Sequence, residues 1–453
     1  MLLRRSAAAP AALVLFLAAA PVSAQVLIPL TRAGSGARAA GMANAFVALS
    51  DDGTAASWNP AGLAQLRKAE LSFVYGVNER GLHFTGERSP DDRFVFTNRN
   101  IEYATSSPDF ASLALPFQVA AKPVTFQLGW QRLYPLEGRL QGETVRVPVD
   151  PADGAPARVS VRNDFAGQID LVSLAAAVRL TGRISLGGSL NTWRGKWNER
   201  DTITEPDDGE FVSAFTREQV RGHNFTGGLL LSYPAWNAGL VYHSPFWSDY
   251  ERRTDVESSQ APPTSMDTGG SSRFRFPRNL AVGVAWRPAV LWTLAFDLNH
   301  DQWTDLVVDG VRDRPGTFNF FDGLPPELSM TRDTLTLSLG AEHLFPRESF
   351  VVPLRFGFAW EPQGAMDPLT RDPVEYFLLA AGSGYNTNRF KFDVGVQYRW
   401  ATFLGSDVLS VDTATATAPG FVRDAVGRAG THEWRFKFSV IYRLSSARKV
   451  PQT

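Results

Sequence analysis

The chain has six histidines, His83, His223, His243, His300, His343 and His432, the side-chain type most suited to proton transfer near neutral pH. None belongs to a constellation that would use it. No G-x-S-x-G nucleophile motif accompanies a placed histidine, and Gly382-Ser383-Gly384 matches only a tight turn. No HExxH or clustered ligand set points to a metal, although carboxylate-rich loops can hold Ca²⁺ without a readable motif. There is no cysteine, which excludes disulfides, thiolate metal sites and cysteine nucleophiles. An enzyme is therefore not the expected reading. What remains is fixed charge and apolar surface. Arg355, Lys391, Asp393, Arg399, Arg435 and Lys437, with Asp297, fall on the polar face of alternating segments. There they can form a charge network against acidic neighbours. The stretch Thr317–Pro326 puts Phe318, Phe320, Phe321 and Leu324 where an exposed loop should be polar. It reads either as a binding surface or as a lid over neighbouring loops.

Period-two alternation from residue 70 to residue 444 supplies the elements that would position these groups. Phe390, Phe392, Val394, Val396, Tyr398 and Trp400 alternate with Arg389, Lys391, Asp393, Gly395, Gln397 and Arg399, so one face is oily and the other charged. Trp130, Trp286, Trp400, Tyr233 and Tyr442 fall toward strand ends, as the aromatic girdles of a transmembrane barrel require. Fourteen strands are expected, at about 70–79, 110–120, 123–137, 165–180, 183–196, 220–233, 236–250, 273–287, 290–303, 334–345, 352–361, 375–386, 389–402 and 432–444. Short connections alternate with long ones (80–109, 138–164, 197–219, 251–272, 304–333, 362–374 and 403–431). That pattern predicts an all-β antiparallel transmembrane barrel with long loops outside and both ends in the periplasm. A lumen of this size would be a leak unless something occupied it.

Composition agrees. Arg4 and Arg5, the apolar run Ala7–Ala20 and Val22-Ser23-Ala24 form an export signal over 1–24. The apolar run is too short for a membrane-spanning helix. Without Arg4 and Arg5 the net charge is −3, which argues against a nucleic-acid partner. No linker interrupts the remainder. The expected division is a signal peptide 1–24, an N-terminal plug 25–69, a barrel 70–444 and a periplasmic tail 445–453, with no cofactor.

The plug assignment rests on Ala33–Leu66, a stretch rich in small residues and turn signals: Gly34, Gly36, Gly41, Gly53 and Gly62, Asp51-Asp52-Gly53 and Asn59-Pro60. The run around Gly41, the Asp51-Asp52 pair and Trp58-Asn59-Pro60-Ala61-Gly62 resemble the N-terminal hatch of FadL/TodX-type outer-membrane transporters of hydrophobic compounds. The pattern is also similar to PorV-type barrels, which serve a secretion system. The resemblance implies fourteen strands and a gate formed by Gly34, Gly36, Gly41, Phe46, Trp58, Asn59, Pro60, Ala61 and Gly62, with Phe46, Val47, Leu49 and Trp58 offering apolar surface to a ligand. It further implies that Arg355, Lys391, Arg435 and Lys437 could meet an amphipathic acid's carboxylate, the charge network being the other reading. A lateral exit near strand three, marked by a bulge at Gly129, also follows from it. The implied function is transport of fatty acids, aromatic hydrocarbons or similar molecules across a bacterial outer membrane by a monomer in contact with lipid and lipopolysaccharide. The alternative is a PorV-type barrel binding proteins through its loops. Trp434, Phe436, Phe438, Val440 and Tyr442 resemble the final strand that barrel assembly machinery reads. Leu444 and nine following residues depart from that pattern.

Overall fold

The computed structural model describes residues 34–86, 94–96, 99–146, 157–205, 209–259, 261–267, 272–311, 314–321, 324–366, 373–406 and 426–444. The signal 1–24, the tail 445–453 and Asp322-Gly323 of the Phe-rich loop lie outside them. The wall is a closed antiparallel barrel of fourteen strands: β1 (Glu70–Gly86), β2 (Arg99–Val119), β3 (Lys122–Pro135), β4 (Ala157–Arg179), β5 (Ile184–Glu205), β6 (Glu210–Ser232), β7 (Trp236–His243 continued by Phe246–Ser258), β8 (Ser272–Phe276 continued by Asn279–Ala289), β9 (Trp292–Asp301), β10 (Thr334–Pro346), β11 (Val351–Met366), β12 (Pro373–Asn386), β13 (Phe390–Ser406) and β14 (Val426–Arg443). The ladder from Glu70↔Arg443 to Gly86↔Gly427 joins β14 to β1 and leaves no free edge.

Alternation sorts the two faces. On β3, Thr125 and Gln127 are buried while Phe126 and Leu128 are 48% and 58% exposed. The same parity exposes Leu190, Trp286, Phe356, Leu379 and Phe438 around the wall. A belt of this kind is stable against lipid and not against water. Among the described residues no helix is long and apolar enough to cross a membrane; strands make the crossing.

Short turns carry local devices. Ala120 and Ala121 join β2 to β3 with φ of 49° and 63°, the left-handed pair that a two-residue hairpin needs. Thr181 Oγ1 accepts from the amides of Arg183 and Ile184, and Thr387 Oγ1 does the same for Arg389 and Phe390.

All fourteen expected strands are present, but much of the expected outer loops is strand. β5 runs to Glu205 and β6 begins at Glu210, so the 197–219 connection is nearly all ladder. Beyond the lipid the outer face turns polar, so the oily outward alternation fades while the backbone bonds continue. The bulge expected at Gly129 is also displaced. Gly129 pairs regularly with Ser112 and Ser173, and the irregularity falls between Arg132 and Tyr134.

Residues 34–66 lie inside this wall. They form one helical turn, Ala37–Ala40, and two 3-10 turns, Ala55–Ser57 and Pro60–Gln65. Backbone meets backbone along a track of four cross-strand glycine pairs: Gly187↔Gly228, Gly239↔Gly283, Gly340↔Gly357 and Gly382↔Gly395. A Cβ on Gly357 would stand 2.5 Å from the Ala43 nitrogen, one on Gly340 2.8 Å from the Met42 oxygen, and one on Gly239 2.6 Å from the Val47 oxygen. Only glycine permits this approach.

Candidate functional site

Along β5 the inward positions change character in order. Gly187 meets the N-terminal segment, Ser189 and Asn191 are polar, and Trp193 is aromatic. At about 3.3 Å per residue this sequence spans roughly 20 Å of lumen. Trp193 is the centre of a buried cluster, with ring centroids 4.9 Å from Phe246, 4.8 Å from Phe276 and 6.3 Å from Tyr134. Phe274, Tyr250 and Trp303 extend it. The polar handles of these rings are met: Trp193 Nε1 donates to Asn224 Oδ1 (2.8 Å), Trp303 Nε1 to Thr334 Oγ1 (3.0 Å) and the Tyr250 hydroxyl to Glu218. Each of these three rings is thus packed in the cluster with its hydrogen bond satisfied.

The Phe-rich loop folds into this cluster. Phe320 sets its edge on Phe274 at 4.8 Å and Phe321 packs on Trp303 at 5.9 Å. Asn319 anchors the turn, its Oδ1 accepting from the Phe321 amide and from Thr331 Oγ1. Phe318 pairs with Val308 across the hairpin that both belong to, and Leu324 gives its carbonyl to the Asn319 amide; both Phe318 and Leu324 are half-buried.

Sequence reasoning missed Trp193, Phe246, Phe274, Phe276, Tyr134 and Trp303. A signal existed in Ser272-Arg273-Phe274-Arg275-Phe276, where arginine occupies the outward parity. Such a stretch cannot face lipid, so it lies beyond the membrane with its phenylalanines inside.

Between the cluster and the N-terminal segment is a cavity of about 30 Å³, bounded by Ala56 and Ser57 on one side and by Phe110, Gln127, Gly129, Gln131, Asn191, Trp193, Asn224, Thr226 and His243 on the others. Its polar side is a side-chain ladder: Asn191 Nδ2 donates to Asn224 Oδ1 (3.0 Å) and Thr226 Oγ1 (2.9 Å), and Thr226 meets His243 Nδ1 at 2.9 Å.

The segment is held by polar bonds on all sides. Asn59 Nδ2 donates to the carbonyls of Val47 and Leu229 (3.1 Å each), and its Oδ1 accepts from the Ala61 amide (3.1 Å). The Asp297 carboxylate accepts from the amides of Phe46 (2.6 Å) and Val47 (2.8 Å). Gln127 and Ser112 both donate to the Gly53 carbonyl, at 2.6 and 2.7 Å. Gly34 lies under the Trp58 ring, whose Nε1 donates to Ser35 O; Gly36 has φ 123°; Gly41 sits on Gly382; Pro60 and Ala61 lie on Gly187; and Gly62 lies on Ser50.

Two expectations are corrected here. Phe46, Val47, Leu49 and Trp58 do not offer surface to a ligand. They are buried against one another and the wall, with Phe46 edge-on to Trp58 at 5.9 Å. The four basic residues are all met by carboxylates: Arg355 by Glu342 (2.7 Å) and Asp393 (2.8 Å), Lys391 by Asp52 (3.8 Å), Arg435 by Glu433 (2.8 Å) and Lys437 by Asp109. Arg38 bonds Glu342 and Asp51, so this network ties the segment to β10–β14.

Replacing Asn59 with leucine removes three hydrogen bonds and leaves the Val47 carbonyl buried without its donor, a loss of about 2–4 kcal/mol. The segment is expected to become protease-sensitive while the barrel stays folded. Unchanged protection would refute this.

No protein-family model and no curated protein matches the sequence. Solved structures do match. A Pseudomonas aeruginosa FadL homologue aligns over 92% of this chain and all of its own, with TM-score 0.63 and 12% identity. The P. putida toluene transporter TodX aligns over 91% of this chain and 99% of its own, with TM-score 0.58 and 11% identity. The monoaromatic hydrocarbon channel CymD aligns over 92% and 99%, with TM-score 0.55 and 15% identity. The chain has the FadL-type fold. That fold and the lipid-facing belt place it in a bacterial outer membrane. In FadL-type terms its fourteen strands account for the wall, and the matched structures are channels rather than enzymes.

Proposed function

We propose that the chain carries hydrophobic or amphipathic small molecules across the outer membrane, with residues 25–69 acting as its plug. The observation that carries this reading is the aromatic cluster around Trp193, set in the lumen directly outward of the N-terminal segment. The rings are packed against one another, so a ligand enters only as they part; one that then buries about 150 Å² of its own apolar surface gains roughly 4 kcal/mol before the unfavourable entropy of association. That is weak capture, suited to handing a molecule on. The cavity beneath has about 30 Å³, room for little more than a water molecule. Passage therefore requires the segment or the rings above it to move, and Gly34, Gly36, Gly41, Asn59, Pro60, Ala61 and Gly62 define what must shift. The names of the solved channels, a toluene transporter and a monoaromatic hydrocarbon channel, agree with a lumen lined by rings.

The test is uptake of radiolabelled toluene and of a medium-chain fatty acid by cells lacking other such channels, with and without this chain. Changing Phe318, Phe320 and Phe321 together to serine should lower uptake severalfold at low substrate concentration and leave the barrel folded. If neither compound enters faster with the native chain, the proposal fails. If the triple variant matches the native chain, the Phe-rich loop has no part in capture.

A further inference from the structure

The outer surface of β5 and β6 changes character within four residues. Leu190 and Phe225 belong to the lipid-facing belt, 66% and 45% exposed. A polar step follows, Thr192 Oγ1 meeting His223 Nδ1 at 3.2 Å, and then come exposed cations: Arg194 and Lys196 on β5 and Arg221 on β6. Four residues of tilted strand rise about 10 Å, enough to pass from hydrocarbon into the headgroup layer. Trp247 marks that level on β7, with the Arg273 guanidinium 4.9 Å over its ring. Both strands run on from here toward the long connections, so the cations stand at the outer leaflet. Register sets Arg194 directly opposite Arg221, and Lys196 lies one step further out on the same face. Like charges so placed repel, and among the described residues no carboxylate pairs with any of the three. Asp170 and Asp249 flank the two arginines on β4 and β7; Asp170 is held by Gln168 Nε2 at 2.9 Å, and neither acid makes an ion pair with them. Arg221 has a single long contact, 3.4 Å to Gln219 Oε1. A second opposed pair higher on the wall, Arg217 and Arg253, is met by Asp255 at 2.7 and 3.6 Å. The wall therefore neutralises one arginine pair itself and leaves the other, at the headgroup level, without an anion.

From this arrangement we infer that Arg194, Lys196 and Arg221 bind a phosphate monoester on the headgroup of a lipopolysaccharide in the outer leaflet, whose acyl chains lie on Leu190 and Phe225. The inference is independent of what passes through the lumen. A phosphomonoester carries about −1.5 to −2 charges and three strong acceptor oxygens, which suits three cationic donors of which two are planar forks. A zwitterionic phospholipid suits them less. Its phosphodiester has one negative charge, and its own ammonium adds a further cation to a patch that already lacks anions. Free inorganic phosphate offers the same oxygens but no chains for the apolar belt beneath, and exposed ion pairs alone are weak. Attachment to a lipid supplies both the chain contact and a high local concentration of the phosphate.

The test uses the purified full chain, stripped of lipid and held in a neutral detergent at pH 7, with bound lipid counted by native mass spectrometry. Three probes are compared: phosphorylated lipid A, the same lipid A with its phosphates removed, and phosphatidylethanolamine. The expected result is phosphorylated lipid A binding about tenfold or more tightly than either of the others. Changing Arg194, Lys196 and Arg221 together to glutamine should abolish that margin. Arg217→Gln with Arg253→Gln, which removes the pair that Asp255 already neutralises, should keep it. Millimolar inorganic phosphate should leave the bound lipid in place. Gel mobility of unheated samples reports that each variant is folded, and without lipid Arg194→Gln should melt no lower than the native chain, because it relieves a repulsion. A lower melting temperature would show that the arginine serves the wall rather than a headgroup. No binding of phosphorylated lipid A, equal binding of the dephosphorylated lipid, a margin that survives the triple variant or is lost equally in the Arg217 and Arg253 variant, or displacement by inorganic phosphate would each overturn the inference.

Discussion

Changing Gly340 and Gly357 together to valine is expected to expel the N-terminal segment from an otherwise intact barrel and to turn a closed lumen into an open one. The two residues face each other across β10 and β11. A Cβ on either would overlap Met42 or Ala43, and several of the overlapped atoms are backbone, which cannot rotate away. Overpacking of this kind costs about 1–3 kcal/mol at each site, and here both penalties fall on the same short turn of the segment. The wall has less to lose. Its ladder bonds at these positions are main-chain bonds that valine makes as readily as glycine, and β-branched residues suit strands. Liposomes carrying the double variant should swell in small sugars at rates typical of open pores, and protease added from the periplasmic side should cut within residues 34–66. Impermeable, protease-resistant liposomes would show that the glycine track is incidental to the seating of the segment.

The second large effect is expected at Arg355. Its guanidinium is fully buried between the nearly buried carboxylates of Glu342 and Asp393, and Glu342 also receives Arg38 of the N-terminal segment. Arg355→Met leaves Asp393 without this cation and Glu342 with one partner instead of two. Breaking a buried pair from one side costs about 3–5 kcal/mol. The variant should lose its compact gel mobility at a temperature at least ten degrees lower. Adding Asp393→Asn to it removes the stranded charge and should recover much of that loss. If the single and double variants melt together, and with the native chain, the network contributes no stability and serves another end.

The wall was legible because alternation between lipid and lumen is the strongest pattern a barrel can write. Phe390 to Trp400 displays it without interruption, and the structure pairs those residues with β12 and β14 in register. The seating of the segment was only half legible. Gly41 and Asn59-Pro60-Ala61 stand out within Ala33–Leu66, but their counterparts Gly382, Gly228 and Gly187 are glycines in distant strands. Sequence spacing says nothing of which strands become neighbours across the lumen. The basic residues were visible and their partners were not, for the same reason: Asp109 and Lys437 stand far apart in the chain, yet they share a bond. The aromatic cluster was missed because its rings occupy the parity that near the lipid belongs to polar groups. Only the place where a strand leaves the membrane reverses the meaning of that parity, and strand ends are the least readable feature of an alternating pattern.

The glycine track also fixes an order of events. Its four pairs draw on eight strands, from Gly187 on β5 to Gly395 on β13, and no pair exists until both of its strands lie side by side. The segment that rests on them precedes all of these strands in the chain. It is therefore the first part of the described chain to be made and one of the last to find its full set of partners. Full seating therefore requires that β13 has joined, because Gly395 packs on Ala37 and Gly41, and a barrel stalled before β13 is expected to hold the segment loosely.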